Sequence, residues 1–167
     1  SKEYVPPKFC PSCGGKTYKP KNEAIRRCLS GVNCPSQTVE KLKHFVSKNA
    51  FNIEGLGDKL IAILFKEKII NDFSDIFKIY KYKELLEKRE GLGKLSVSNL
   101  LNSIESKKRI PLDKLIYALG IKQIGENNAK LLALNYNSFE NFCSEMEKAN
   151  DKLSDSFQKL VSIDQIG

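Results

Sequence analysis

The chain has 167 residues, 41% of them hydrophobic, which is enough to bury a core in one or two small domains. Its 28 Lys and Arg against 20 Asp and Glu leave a formal charge of +8, which favours a polyanion as partner, nucleic acid first. No apolar run reaches the roughly 18 residues of a membrane span, and the opening "SKEYVPPKF" has neither the apolar core nor the cleavage site of a signal peptide, so the chain reads as soluble, intracellular and without a membrane partner.

The first element in chain order is a cysteine cluster. Cys10, Cys13, Cys28 and Cys34 form a CxxC pair, a fourteen-residue gap, and a second pair with five residues between. In a reducing compartment such spacing means metal ligation before disulfides. Pro11, Gly14 and Gly15 in "CPSCGG", and Ser30 and Gly31 in "CLSGVNC", supply the tight turns that bring two such pairs face to face. Four thiolates leave no open coordination position, so the pattern predicts one structural zinc that folds a segment too short to bury a core of its own. His44 follows on a helical stripe with Val39, Leu42, Phe45 and Val46 and is expected to be a helix residue near a core face, not a fifth ligand.

Beyond Pro35 the periodicity is helical nearly throughout. Apolar stripes at offsets of three, four and seven run through Phe73, Ile76, Phe77 and Tyr80; Val97, Leu100, Leu101 and Ile104; Leu112, Leu115, Ile116 and Leu119; and Phe139, Phe142, Cys143 and Met146. Cys143 is thereby expected to be a buried hydrophobe. Ser74, Ser96 and Ser138 stand where helix N-caps are wanted, and Pro111 suits a first helical turn. The basic run Lys107, Lys108 and Arg109 sits at a helix end, where dipole and solvation account for it.

One pattern repeats. "IEGLGDKLIAIL" returns as "REGLGKLSVSNLL", with Gly91, Leu92 and Gly93 in place of Gly55, Leu56 and Gly57. Looser copies place Gln123, Ile124 and Gly125, then Gln165, Ile166 and Gly167, at the same triplet. The last glycines lie 36, 32 and 42 residues apart, room for two helices and a connection. Each unit reads as helix, glycine-bracketed hairpin, helix, with the middle apolar residue tucked between the helices. The thin hairpin leaves the amides that open the second helix uncovered, and with the helix dipole behind them they suit a phosphate oxygen. Lys59, Lys94, Lys122 and Lys130 follow the hairpins and fit phosphate neutralisation. Such contacts do not read base identity. The two copies with Gln for the first glycine are expected to serve packing.

The fold class expected is mainly α: a four-cysteine zinc finger over 1–36, then an all-α tandem helix-hairpin-helix domain over 37–167 with its fourth motif truncated. Together, "CPSCGG", "RRCLSGVNCPSQTVEKLKHFVSKNAFNIEGLGDKLI", "EGLGKLSVSNLLNSIE" and "LIYALGIKQIGE" resemble the C-terminal half of a bacterial NAD-dependent DNA ligase, from about Phe9 to Gly167. The resemblance implies that Cys10, Cys13, Cys28 and Cys34 bind zinc. It implies further that the hairpins, with Gly55, Leu56, Gly57, Lys59, Gly91, Leu92, Gly93, Lys94, Lys122, Ile124, Gly125 and Lys130, contact the backbone of nicked or intact duplex DNA. It implies a monomeric fragment in the bacterial cytoplasm, at the nucleoid, whose parent also carries adenylation, OB and BRCT domains and uses NAD and Mg2+ to seal nicks in replication and repair. No Asp in this chain is followed by Gly, so the adenylating KxDG motif is absent and no catalytic residue is nominated. With its second helix missing, the fourth hairpin predicts disorder or loose packing over about the last dozen residues. Three other readings stand beside this one: an independent DNA-structure-binding module of a repair or recombination complex, a hairpin glycosylase using Lys59 and Asp113, and a protein-docking bundle.

Overall fold

The computed structural model describes residues 5–21 and 24–166; Gly167, the last residue of the fourth triplet, lies outside the described residues. A two-stranded antiparallel ribbon, β1 (Thr17–Tyr18) and β2 (Arg27–Cys28), pairs Thr17 with Cys28. A 3-10 turn, Gly31–Asn33, leads into α1 (Pro35–Val46), whose N-cap is the cysteine Cys34 and whose first residue is a proline. A proline loses nothing there, because the first amides of a helix have no acceptor within it.

The rest of the described chain is helical: α2 (Asp58–Lys66), α3 (Phe73–Ile76), a 3-10 turn (Ile79–Tyr82), α4 (Lys83–Glu87), α5 (Lys94–Ser106), α6 (Leu112–Ala118), α7 (Glu126–Tyr136), α8 (Phe139–Lys148) and α9 (Asp155–Ser162). Two apolar cores divide them. The first gathers Leu42, Phe45, Ile61, Leu64, Ile76, Leu86, Val97 and Leu100 from α1 to α5, each side chain contributing about 1.5–3 kcal/mol when fully buried. Phe45 stacks on Phe51 at 4.1 Å and on Phe73 at 4.5 Å between ring centroids. The second joins Ile116, Ala129, Leu132, Tyr136, Phe142 and Ile163 from α6 to the segment after α9. Tyr117 packs against both.

The structure corrects several expectations. The stripe from Phe73 to Tyr80 is not one helix, because α3 stops after four residues and the 3-10 turn carries Tyr80 outward to 58% exposure. Asp72, not Ser74, caps α3, its carboxylate accepting the Ser74 and Asp75 N–H groups at 2.7 and 3.2 Å. Ser96 lies inside α5, whose N-cap is Gly93, and Pro111 is the N-cap of α6. Ser138 caps α8 as expected. Cys143 is half-buried against the second core. The expected disorder at the C-terminal end is replaced by packing: Ile163 belongs to the second core, and Leu160 and Ile166 rest against it. Three apolar contacts hold the fourth turn in place.

Candidate metal centre and nucleic-acid interface

The four sulfurs meet. The Sγ atoms of Cys10, Cys13, Cys28 and Cys34 all lie within 4.8 Å of one another, with Cys10 to Cys34 at 3.9 Å and Cys13 to Cys28 at 3.4 Å. Thiolates on a tetrahedral zinc, each about 2.3 Å from the metal, stand about 3.8 Å apart, so the donor set and its spacing fit that ion. The Ser30 N–H donates to Cys28 Sγ at 3.4 Å, and Ser30 Oγ lies 3.4 Å from Cys13 Sγ. The Ser30 hydroxyl, the Gly15 amide and the neighbouring Cys28 hold the Cys13 thiol down at about 6, already favouring the ligating thiolate. Gly14 stands at φ +70°, and a Cβ on Gly15 would come within 2.0 Å of Ser30 Oγ. Each glycine of "CPSCGG" therefore has its own cause.

Little else folds this segment. Phe9, Tyr18, Ile25, Leu29 and Val32 are all exposed, and among the described residues of the finger only Cys34 is buried. His44 stands outside the sulfur cluster, as a residue of α1: its Nε2 is 2.8 Å from the Tyr117 carbonyl oxygen, and its ring meets the Tyr117 ring edge-on at 4.7 Å.

The hairpins share one backbone geometry. In each, the N–H of the middle apolar residue donates to the carbonyl three residues back: Leu56 to Ile53 at 3.4 Å, Leu92 to Arg89, Ile124 to Ile121 and Ile166 to Ile163, each at 3.0 Å. The residue before it, third in the turn, has positive φ: Gly55 +84°, Gly91 +79°, Gln123 +68° and Gln165 +67°. That is the position at which a type II turn demands it. The fourfold repeat read from the sequence is thus a repeat of backbone conformation, and glutamine holds the same strained well that glycine occupies freely.

The second glycine differs in kind. Gly57, Gly93 and Gly125 have φ of −80°, −88° and −84°, which any residue adopts, and a Cβ added to any of them meets nothing within 4 Å. Neither strain nor packing inside the chain requires glycine there. Each is the N-cap of its helix, α2, α5 or α7, without a side-chain cap, and the helical ladder starts at its carbonyl, which accepts from Ile61, Val97 or Ala129. The amides ahead of that ladder have no intrahelical acceptor. By contrast α3, α8 and α9 use Asp72, Ser138 and Ser154 to cover theirs.

The side chains sort accordingly. Lys59, Lys94, Lys122 and Lys130 are exposed, with Lys94 the first residue of α5. Leu56, Leu92 and Ile124, expected among the contact residues, turn inward: Leu56 is 2% exposed, the other two are half-buried, and all three amides are spent within the turn. They anchor the hairpins, and the surface available to a partner is the glycines, the following amides and the lysines. An acid opens α2 (Asp58) and α7 (Glu126) but none stands in the first turn of α5, so Gly93 starts the helix most receptive to an anion. Glu126 is further engaged by Asn49 Nδ2 at 2.8 Å. Sequence reasoning missed Asn128, whose Nδ2 donates to the Gln123 carbonyl at 3.4 Å and the Gln165 carbonyl at 3.3 Å, fastening the third and fourth hairpins together.

Residues 9–35 match the NAD-dependent DNA ligase C4 zinc finger domain, and residues 114–167 match the helix-hairpin-helix motif. The chain is similar to the DNA ligase of Rickettsia bellii, 46% identical over 168 residues that cover 98% of this chain and 24% of that protein. It is similar to those of Rickettsia prowazekii, 46% identical over 96% of this chain and 24% of the relative, and Pelobacter propionicus, 42% identical over 98% and 25%. The chain spans about a quarter of the length of these relatives.

Proposed function

We propose that this chain, which carries the zinc-finger and helix-hairpin-helix region of an NAD-dependent DNA ligase, grips duplex DNA by its phosphate backbone without reading base sequence. One observation carries the reading: three helices start on an exposed glycine that nothing within the chain requires, with their opening amides left uncapped. A phosphate oxygen satisfies those amides and gains from the dipole, and a side chain in place of the glycine stands in its path. Lys59, Lys94, Lys122 and Lys130 add charge to the same surface.

In this reading Cys10, Cys13, Cys28 and Cys34 hold one structural Zn2+, which supplies folding energy and no reaction chemistry. The work of the chain is alignment. Holding the duplex on both sides of a nick keeps the two ends in line for joining, and such positioning is a large share of any two-ended reaction. Adenylation by way of a KxDG lysine, with NAD and Mg2+, belongs to other parts of the parent protein, and the chain acts as a monomer at bacterial DNA in the cytoplasm.

The test is the double variant Gly57→Val, Gly93→Val, titrated with duplex DNA beside the unaltered chain. Each lost hydrogen bond to a charged oxygen is worth about 1.5–3 kcal/mol, so affinity is expected to fall at least about tenfold while the helical circular dichroism signal holds. Equal affinity in the variant overturns the phosphate-grip reading.

A further inference from the structure

Among the described residues, two ion pairs join segments far apart in the sequence and end on a hairpin: Lys114 with Glu126 at 4.0 Å, and Arg89 with Glu67 at 2.5 Å. The second is the closer. Glu67 is the C-cap of α2, the helix that the first hairpin starts. Arg89 opens the second hairpin, since its carbonyl accepts the Leu92 N–H at 3.0 Å in the turn that delivers Gly93 to the head of α5. The Arg89 side chain is pressed down to 23% exposure, and its Nε is fully covered with no partner among the described residues. The guanidinium is held at its other end, where Arg89 Nη2 donates to Glu67 Oε2 in a charge-assisted bond.

The first hairpin is fastened in return. The Glu54 N–H donates to Ser103 Oγ of α5 at 2.9 Å, and a Cβ on Gly55 would touch Leu100 of α5 at 3.4 Å. Each of the two hairpins is thus secured to the far half of the helix that the other one starts. At 1.5 Å per residue, the nine residues of α2 put Glu67 roughly 14 Å from the amides at Gly57, so Glu67 lies well away from that anion site.

We infer that Glu67 and Arg89 are positioning residues for DNA binding: their ion pair locks the second hairpin against the end of α2, so that the amide sites at Gly57 and Gly93 keep a fixed spacing and engage phosphates of one duplex together. The inference rests on the phosphate-grip reading of those hairpins. Locking the spacing in advance removes an ordering cost from binding, and the second phosphate contact follows the first as an intramolecular event.

Charge and position predict opposite signs at Glu67, which makes the test decisive. Glu67→Ala makes the chain one unit more positive, so an electrostatic bystander would bind a polyanion more tightly when it is removed. A positioning role predicts the reverse. The full zinc-loaded chain, the Glu67→Ala variant and the exchanged variant Glu67→Arg, Arg89→Glu are titrated by fluorescence anisotropy with a labelled duplex of about twenty base pairs at several salt concentrations, a length that admits both hairpins. Glu67→Ala is expected to weaken binding by about fivefold at each salt concentration, with helix content unchanged, and the exchanged variant to recover affinity to within about twofold. Equal or tighter binding by Glu67→Ala, or failure of the exchange to recover affinity, overturns the positioning role and leaves the hairpin grip standing. Absence of duplex binding by the unaltered chain overturns both.

Discussion

Within one triplet, two glycines do different physical work. Gly91 supplies a positive φ that would cost an L side chain about 1–2 kcal/mol, whereas Gly93 supplies an open approach that the chain itself does not use. The same division holds among the sulfurs. Cys34 is shielded, while Cys13 is tuned by the Ser30 hydroxyl, which lies beside it and favours the thiolate. Because the folded value of about 6 lies below the ordinary 9.0, the contribution of that thiolate to the folded finger is fully present above pH 9 and is lost as pH falls through 6. Protons also compete with the metal for the same sulfur, in the same direction. Ser30→Ala removes the largest cause of the lowered value, so zinc release on acidification is expected at a higher pH than in the unaltered chain. A chromophoric zinc indicator followed across a pH series reads the midpoint, and coincident midpoints would show that Ser30 does not tune the site.

At the scale of elements, the finger and the helices depend on different forces. Among the described residues, neither apolar core includes one ahead of Val39, and the large hydrophobic side chains of the finger face outward. With zinc bound as proposed, the metal is therefore what orders the described residues of 10–34, whereas burial orders α1 to α9. Chelation is expected to abolish amide-exchange protection around Cys10 to Cys34 and to leave most of the helical circular dichroism signal; collapse of the whole signal would mean that the helices lean on the finger after all. Much of this division could be read in the sequence, because cysteine spacing and apolar periodicity report local chemistry directly. Hairpins in "EGLG" were equally legible, since two copies of one unusual triplet share a cause. What stayed hidden was partnership across distance. Nothing in the period of α7 reveals that Asn128 clamps two hairpins, nor does the stripe of α1 reveal that His44 reaches the Tyr117 carbonyl. Ser74 and Ser96 misled for a related reason: a serine at a plausible cap position competes with any better acceptor nearby, and at α3 that acceptor was Asp72, while α5 begins on a glycine.

Taken as one molecule, the chain offers a polyanion two kinds of contact with different responses to salt. Amides at the glycine-started helices are neutral and displace few counterions, whereas each lysine that neutralises a phosphate releases one, so the salt dependence counts the lysines and not the hairpins. The formal charge of +8 falls to roughly +6 once four thiols lose their protons and one dication binds, which leaves the attraction in place. If Lys59, Lys94, Lys122 and Lys130 each meet one phosphate, the slope of log affinity against log salt is about −3.6, and affinity drops about a hundredfold between 50 and 200 mM. Replacing Lys94 with Gln should shallow that slope by about one while leaving the ranking of different duplex sequences unchanged, because phosphate contacts carry no base information. The measurement is a titration with intact and nicked duplexes of two unrelated sequences across that salt range. A slope near zero would remove the lysines from the interface, and a strong preference for one sequence would require base contacts that the exposed glycines and amides cannot make.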